Sequence, residues 1–313
     1  MRHLSSLLSR GSMRMTPRIP AATAIAAAAC LLALFGGVSN VRAAEAASIL
    51  NIKADDKLAA MVPKYYRDRG TLTAGVNPDV APIKFVNGDG EIVGFTPELL
   101  SAAAQVLGLK IKLAQSSFDA LIPGLSASRF DVLLSLADFS ARQKVVTFVD
   151  YLDMGLTVVT TPASAITVKS PDDLCGLQLA LPRGTASMEK ARALSDKCVG
   201  NGKKPLTIAT YPDSNMTMLS LSTGASQVAW VDSPVGYYNA TRFPAKYKIV
   251  HYNREAPYGI GFGVDEKGKQ LALAIQQALI KLQKDGVYDA LMKKWGLDLK
   301  DAKPLFPING GER

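Results

Sequence analysis

An apolar run of strand length, residues 132–136, passes through the polar turn 137–141 to Arg142, which the pattern places in the first turn of a short helix. A cation there opposes the helix dipole. The placement is unfavourable for stability alone and becomes sensible if the guanidinium and the free backbone N–H groups beside it hold an anion together. The competing reading is a solvated surface arginine, and this stretch by itself does not choose between the two. A second charge, Asp232, ends the apolar strand QVAWV, where an unpaired carboxylate is costly. Its local alternative is an N-cap for the helix SPVGYY that follows, a role compatible with contact to a ligand.

Other chemistries lack their residues. There is no Walker motif, GxSxG elbow or HExxH, and beyond residue 43 the only histidine is His251, which removes the usual general base from most hydrolytic schemes. GIGFGV carries alternate glycines, but no helix follows at once and no third glycine stands at dinucleotide-binding spacing, so it reads as a small-residue strand. Cys175 and Cys198 are too few for a zinc site without further ligands; an even pair in an exported chain is most simply a structural disulfide. No metal and no cofactor is expected.

Export is read from the N-terminus. Arg2, Arg10, Arg14 and Arg18 are unopposed, residues 19–38 carry no charge, and Val41-Arg42-Ala43 supplies a cleavage site, so residues 1–43 read as a signal peptide, with cleavage after Ala46 as the alternative. The run is Ala-rich and ends in Gly36-Gly37, which argues against a membrane anchor, and Cys30 lies inside the apolar core rather than at its exit, which argues against lipidation. Cleavage removes five of the 36 basic residues and none of the 27 acidic ones, so 31 against 27 leaves +4. That mild excess is spread without an arginine-rich tract, which gives nucleic-acid binding little support, and none is expected.

The elements that must position Arg142 and Asp232 alternate regularly. After a polar extension, 44–68, with a short helix come the strand TLTAGV, a hairpin PIKFVNGDGEIVGF, a helix from Thr96-Pro97 to Gly108, the strand KIKLAQ, the helix FDALIPGLSAS and the strand DVLLSL. The pattern begins again after Tyr151 and ends with YGIGFGV and two helices separated by Gly286, the first with Leu271, Ile275, Leu279 and Leu282 at helical spacing. Alternation of this kind predicts an α/β fold with parallel strands in two units.

The ordered segments GDGEIVGFTPELL, FDALIPGL, ARQKVVTFVDY, LCGLQLALPRGT, WVD, PYGIGFGV and LQKDGVYDALMKKWG resemble the bacterial extracellular solute-binding proteins of family 3, over roughly residues 71–297. The resemblance implies a two-lobed periplasmic binding protein fold, type II-like: lobe 1 from 69–156 and 257–300, lobe 2 from 157–256, and a tail, 301–313. The crossovers would fall near 155–161 and 250–257. It implies that Arg142 pairs with the α-carboxylate of an amino acid, Asp232 with its α-ammonium, and the turn Gly184-Thr185-Ala186 with the same carboxylate. Asn77, Val80, Phe118 and Ser135 complete the implied binding set. Several positions depart from the family pattern. Asn77 stands where many members carry an acid, Val80 and Ile83 where aromatics are common, and Ala137 where a threonine is frequent. These departures disfavour a basic ligand, and Arg183, if directed inward, favours an acidic one.

The implied function is capture of a neutral or acidic amino acid in the periplasm by a monomer that serves an ABC transporter permease and, through it, an ATPase. Two alternatives are a periplasmic cyclohexadienyl dehydratase, which needs a positioned acid in the cleft, and a ligand-sensing subunit of a membrane receptor. Glu98, at a helix start facing away from the ligand in this family, does not supply that acid.

Overall fold

A computed structural model describes residues 52–303 and 305–311. The signal-peptide reading of 1–43 lies outside the described residues. Two short helices, α1 (Asp56–Met61) and α2 (Lys64–Arg69), precede strand β1 (Thr71–Val76). Strands β2 (Asp79–Val80), β3 (Lys84–Val86) and β4 (Ile92–Val93) form a small antiparallel sheet. The side chain of Asn87 closes its hairpin, with Oδ1 accepting from the Asp89 and Glu91 N–H groups. Helix α3 (Phe95–Val106), β5 (Lys110–Gln115), a 3-10 turn (Phe118–Ala120) running into α4 (Leu121–Ser126), β6 (Val132–Ala137), α5 (Ser140–Gln143) and β7 (Thr147–Leu152) follow.

The chain then enters a second sheet: β8 (Gly155–Thr160), β9 (Gln178–Pro182), α6 (Ala186–Gly200), β10 (Thr207–Tyr211), α7 (Ser214–Ser222), β11 (Val228–Asp232), α8 (Ser233–Arg242) and β12 (Lys248–Arg254). It returns through β13 (Tyr258–Phe262) and ends in α9 (Glu266–Lys284) and α10 (Val287–Lys294). The first sheet has the order β5-β1-β6-β13-β7, the second β10-β9-β11-β8-β12.

Neither sheet is wholly parallel, which corrects the expectation from simple alternation. β1 runs parallel to β5 and β6, and β9 to β10 and β11, but β13 is antiparallel to β6 and β7, and β8 to β11 and β12. The reason is connectivity. β8 and β13 are the strands that arrive from the other sheet, and each inserts beside the central strand of its new sheet from the side of the crossing. The crossings are also shorter than 155–161 and 250–257: Gly155–Thr160 is an interior strand of the second sheet, so the chain passes between sheets at 153–154 and again at 255–257.

Apolar faces fix this arrangement. Leu271, Ile275, Leu279 and Leu282 on α9 are buried, as their spacing requires. Leu133, Leu136 and Phe148 of the first sheet pack on Leu121 and Leu125 of α4. In the second sheet Leu179, Leu181, Val228 and Trp230 pack on Ala191, Leu194 and Cys198 of α6. Cys198 is bonded to Cys175 across a Cα–Cα distance of 5.7 Å. The C-terminal stretch is no free tail. Phe306 is buried against Tyr288, Ile308 bridges to Val149 of β7 and Ala302 to Leu152. The Gly310 N–H donates to Asp150 and that of Gly311 to Asp138.

Candidate functional site

The carboxyl ends of β6 and β11 meet across a cavity of about 350 Å³, in the low part of the range for small-ligand sites. Asn77, Val80, Phe118, Ser135, Arg142, Thr185 and Asp232 line it, together with Arg183; Ala186 opens α6 next to Thr185. Four cations (Lys84, Arg142, Arg183, Lys190) and four acids (Asp79, Asp232, Glu189, Glu255) share its lining. A balanced wall of this kind suits a ligand that carries both signs.

Arg142 reaches the cavity by a different route from the one its sequence suggested. Its helix, α5, is a single turn, so first and last turns coincide and no dipole argument holds; the Arg142 N–H is also committed, donating to Phe139 O at 2.8 Å. The side chain is held instead by aromatic faces. The guanidinium carbon stands 4.5 Å from the Phe139 ring centroid and 5.2 Å from that of Phe118, distances at which a ring quadrupole attracts a cation. Its hydrogen bond goes to Ala137 O at 3.1 Å. Among the described residues it makes no ion pair. Burial pushes its pKa down to about 10, against the pull of Asp232 and Tyr258. A guanidinium has five N–H donors, so most of this one's capacity is unspent.

Asp232 ends β11 and occupies the N-cap position of α8, but its side chain makes no capping bond. The carboxylate accepts instead from the Tyr258 hydroxyl, which arrives on β13 of the other sheet. Burial raises its pKa, and Tyr258, Lys84 and Arg142 oppose that rise. The local capping alternative is therefore not what the geometry shows: the carboxylate turns into the cavity.

Asn77, expected to face a ligand with a neutral amide, is already engaged. Its Oδ1 and its main-chain O each accept from Lys84 Nζ at 2.7 Å, and its Nδ2 donates to Asp79 at 2.5 Å. Lys84 is 1% exposed, and burial lowers its pKa while Asp79 and Asp232 raise it. Asp79 also accepts from the Ser214 N–H at the start of α7 at 3.2 Å, a contact between the small antiparallel sheet and the second sheet's layer.

Ser135 lies in the left-handed region with φ 55°, and its hydroxyl is tied into a triangle with Thr96 (3.0 Å) and Tyr151 (2.9 Å). At the opposite rim, Thr185 starts α6 without capping it, its hydroxyl donating to Pro182 O at 2.9 Å. Gly184 before it has φ 76°, and a Cβ there would come within 3.7 Å of Phe118 and Asp119. That distance is ordinary contact, so it is the left-handed φ that favours glycine at this turn. Glu98 lies outside the cavity, bound to Lys294 at 2.8 Å and Trp295 at 3.2 Å. Among the described residues no cluster of acids, histidines or cysteines could hold a metal.

Sequence reasoning missed Asp79, Lys84 and Tyr258. The available signal was Lys84 itself: a lysine between Ile83 and Phe85 in a strand needs a nearby acid if it is not on the surface.

The model of the bacterial extracellular solute-binding proteins, family 3, matches residues 72–298. The arginine-binding protein ArgT of Corynebacterium glutamicum is 31% identical over 245 residues, which span 77% of this chain and 79% of that protein. Among solved structures, the ancestral amino acid-binding protein AncCDT-1, a precursor of cyclohexadienyl dehydratase, aligns with a TM-score of 0.65 and 26% identity over 74% of this chain and 97% of its own. The substrate binding protein of an amino acid ABC transporter aligns with a TM-score of 0.63 and 26% identity over 72% and 99%. The fold is that of the two-lobed periplasmic binding proteins.

Proposed function

For a chain that belongs to the bacterial extracellular solute-binding proteins, family 3, we propose capture of a free amino acid in the interlobe cleft, in the periplasm, and its delivery to an ABC importer in the inner membrane. Arg142 takes the α-carboxylate and Asp232, with Tyr258 beside it, the α-ammonium. The observation that carries this reading is Arg142: a half-buried guanidinium whose one side-chain hydrogen bond among the described residues goes to a carbonyl, across the cavity from the half-buried Asp232 carboxylate. A planar guanidinium matches a carboxylate bidentately, and desolvated charges of both signs recognise a zwitterion.

The side chain taken is neutral or acidic. Relatives with arginine-binding names make a basic ligand the competing choice, but Lys84 brings a cation into the same cavity and Asn77 carries no charge. A thermal-shift screen of amino acids tests this, since ligand at a hundred times its Kd stabilises by about 2.7 kcal/mol. A response to arginine and lysine alone overturns it. The likeness to a dehydratase precursor keeps an enzymatic reading in view, and consumption of prephenate by the purified protein decides it. Export is checked separately by N-terminal sequencing of the periplasmic protein, with Ala44 or Ala47 expected and Met1 contrary.

A further inference from the structure

Three oxygen acceptors converge on one point of the cleft wall: the main-chain O and Oδ1 of Asn77 and the Asp79 carboxylate, with Asp232 contributing its field. Such a set gives an ammonium two hydrogen-bond acceptors and a counter-charge. The ammonium that fills it belongs to the chain. Lys84 Nζ lies 2.7 Å from both Asn77 oxygens and 3.6 Å from Asp79 Oδ1, and the residue is 1% exposed although it lines the ligand cavity.

We propose that Lys84 is a tethered occupant of a cation subsite in the cleft, so that the protein rejects amino acids whose long side chain ends in an ammonium or guanidinium. The proposal rests on the reading of the cleft as an amino-acid site and adds which residue sets its selectivity. A competing ligand cation would meet an ammonium held at high effective concentration by its own backbone. Displacing it would strand a buried lysine without partners, whose desolvation is costly. The same arrangement explains how a wall bearing Asp79 and Asp232 can still disfavour cations: one positive charge is already built in.

Removing the tether should reverse the selectivity. In Lys84→Ala the side-chain volume opens and Asp79 is left without its cation, so L-lysine and L-ornithine gain both room and a counter-charge. Lys84→Met keeps most of the volume and should gain little. The experiment is calorimetric titration of wild type, K84A and K84M with L-lysine, L-ornithine and L-glutamine. Expected is at least about a tenfold gain in affinity for L-lysine or L-ornithine in K84A over wild type, and none in K84M. Wild type binding L-lysine as tightly as K84A overturns the proposal, and so does a folded K84A that stays blind to both cations. Should K84A not fold, acylation of native wild-type amines decides: Lys84 must stay unmodified while Lys64 reacts, and equal rates overturn the proposal. If wild type takes L-glutamine through Arg142 and K84A still ignores cations, the tether fails and the cleft reading stands. If R142A binds every amino acid as wild type does, the cleft reading itself fails.

Discussion

The two lobes present the same strand order to the cleft, and equivalent strands lead to opposite charges, Arg142 on the short helix after β6 and Asp232 at the last position of β11. β6 and β11 are each the third strand of their sheet's order, flanked on one side by β1 or β9 and on the other by the incoming β13 or β8. β6 leads to Arg142, which meets one carbonyl and two aromatic faces. β11 ends in Asp232, which meets a hydroxyl from the other lobe and the field of a buried lysine. One pole is therefore left short of partners and the other is largely answered by protein. The unanswered pole should dominate binding, while the answered one sets register and selectivity.

The sharpest way to break this comparison is to remove each pole in turn. Arg142→Ala should weaken amino-acid binding by about 2–5 kcal/mol, because the ligand carboxylate loses its charged partner in a dry site, with little loss of stability. Calorimetry beside unfolding curves reads both quantities. The periphery of the lobes gives the next effect. Lobe 2 is stapled by Cys175–Cys198, whose partners are separated by 23 residues, and lobe 1 has no such bond among the described residues. Reduction should lower stability by about 3 kcal/mol in the chain-entropy account and leave the cleft competent for ligand, as denaturant curves with and without reductant would show. A free-thiol assay that finds both sulfurs reactive in the oxidised protein would remove the premise. Asp232→Asn should then cost about 1–3 kcal/mol of binding, less than Arg142→Ala, because the amide still accepts from Tyr258 and the pole was already part-neutralised. Equal losses would erase the difference between the poles.

Lobe 1 is closed by hydrogen bonds where lobe 2 is closed by sulfur, and this makes it pH-sensitive. Asp150 accepts from the Gly310 N–H, and burial followed by the neighbouring Asp138 pushes its pKa from 3.8 up to about 8. The folded state therefore keeps a proton that the unfolded chain gives up, from about pH 4 to about pH 8. Stability falls as pH rises through that window, by at most about 1.4 kcal/mol per pH unit from this group. Asp150→Asn should flatten the slope, measured as Tm against pH. An unchanged slope would place the proton elsewhere.

What could be read from the sequence follows from how far each signal travels along the chain. That Arg142 and Asp232 both line the cavity follows from local pattern, Asp232 being the last residue of an apolar strand and Arg142 lying on the short helix after another. The route of Arg142 was not legible, since its helix is too short for a dipole and its support comes from two aromatic faces, Phe139 within a stretch that reads as a polar turn and Phe118 about two dozen residues upstream. Lys84 was hidden by strand periodicity. Ile83 and Lys84 are adjacent and both buried, one in the core and one against the cleft, because Ile83 precedes β3 and Lys84 is its first residue, so strand alternation does not govern the pair. Tyr258 reaches Asp232 only through the return crossing, which alternation did not reveal. The mixed strand direction was missed for the same reason: β8 and β13 look like ordinary alternating strands until one knows which sheet each joins.

The central claim is that a zwitterion bridges Arg142 and Asp232. Calorimetric titration of the wild-type protein with the amino acid giving the largest thermal shift, and with its carboxamide and its N-acetyl derivative, tests it most directly. Each derivative removes one ligand charge and leaves the side chain intact. The account predicts that both bind at least about a hundredfold more weakly than the parent, with the larger loss for the carboxamide that faces Arg142. Retention of either derivative within about threefold of the parent would contradict it.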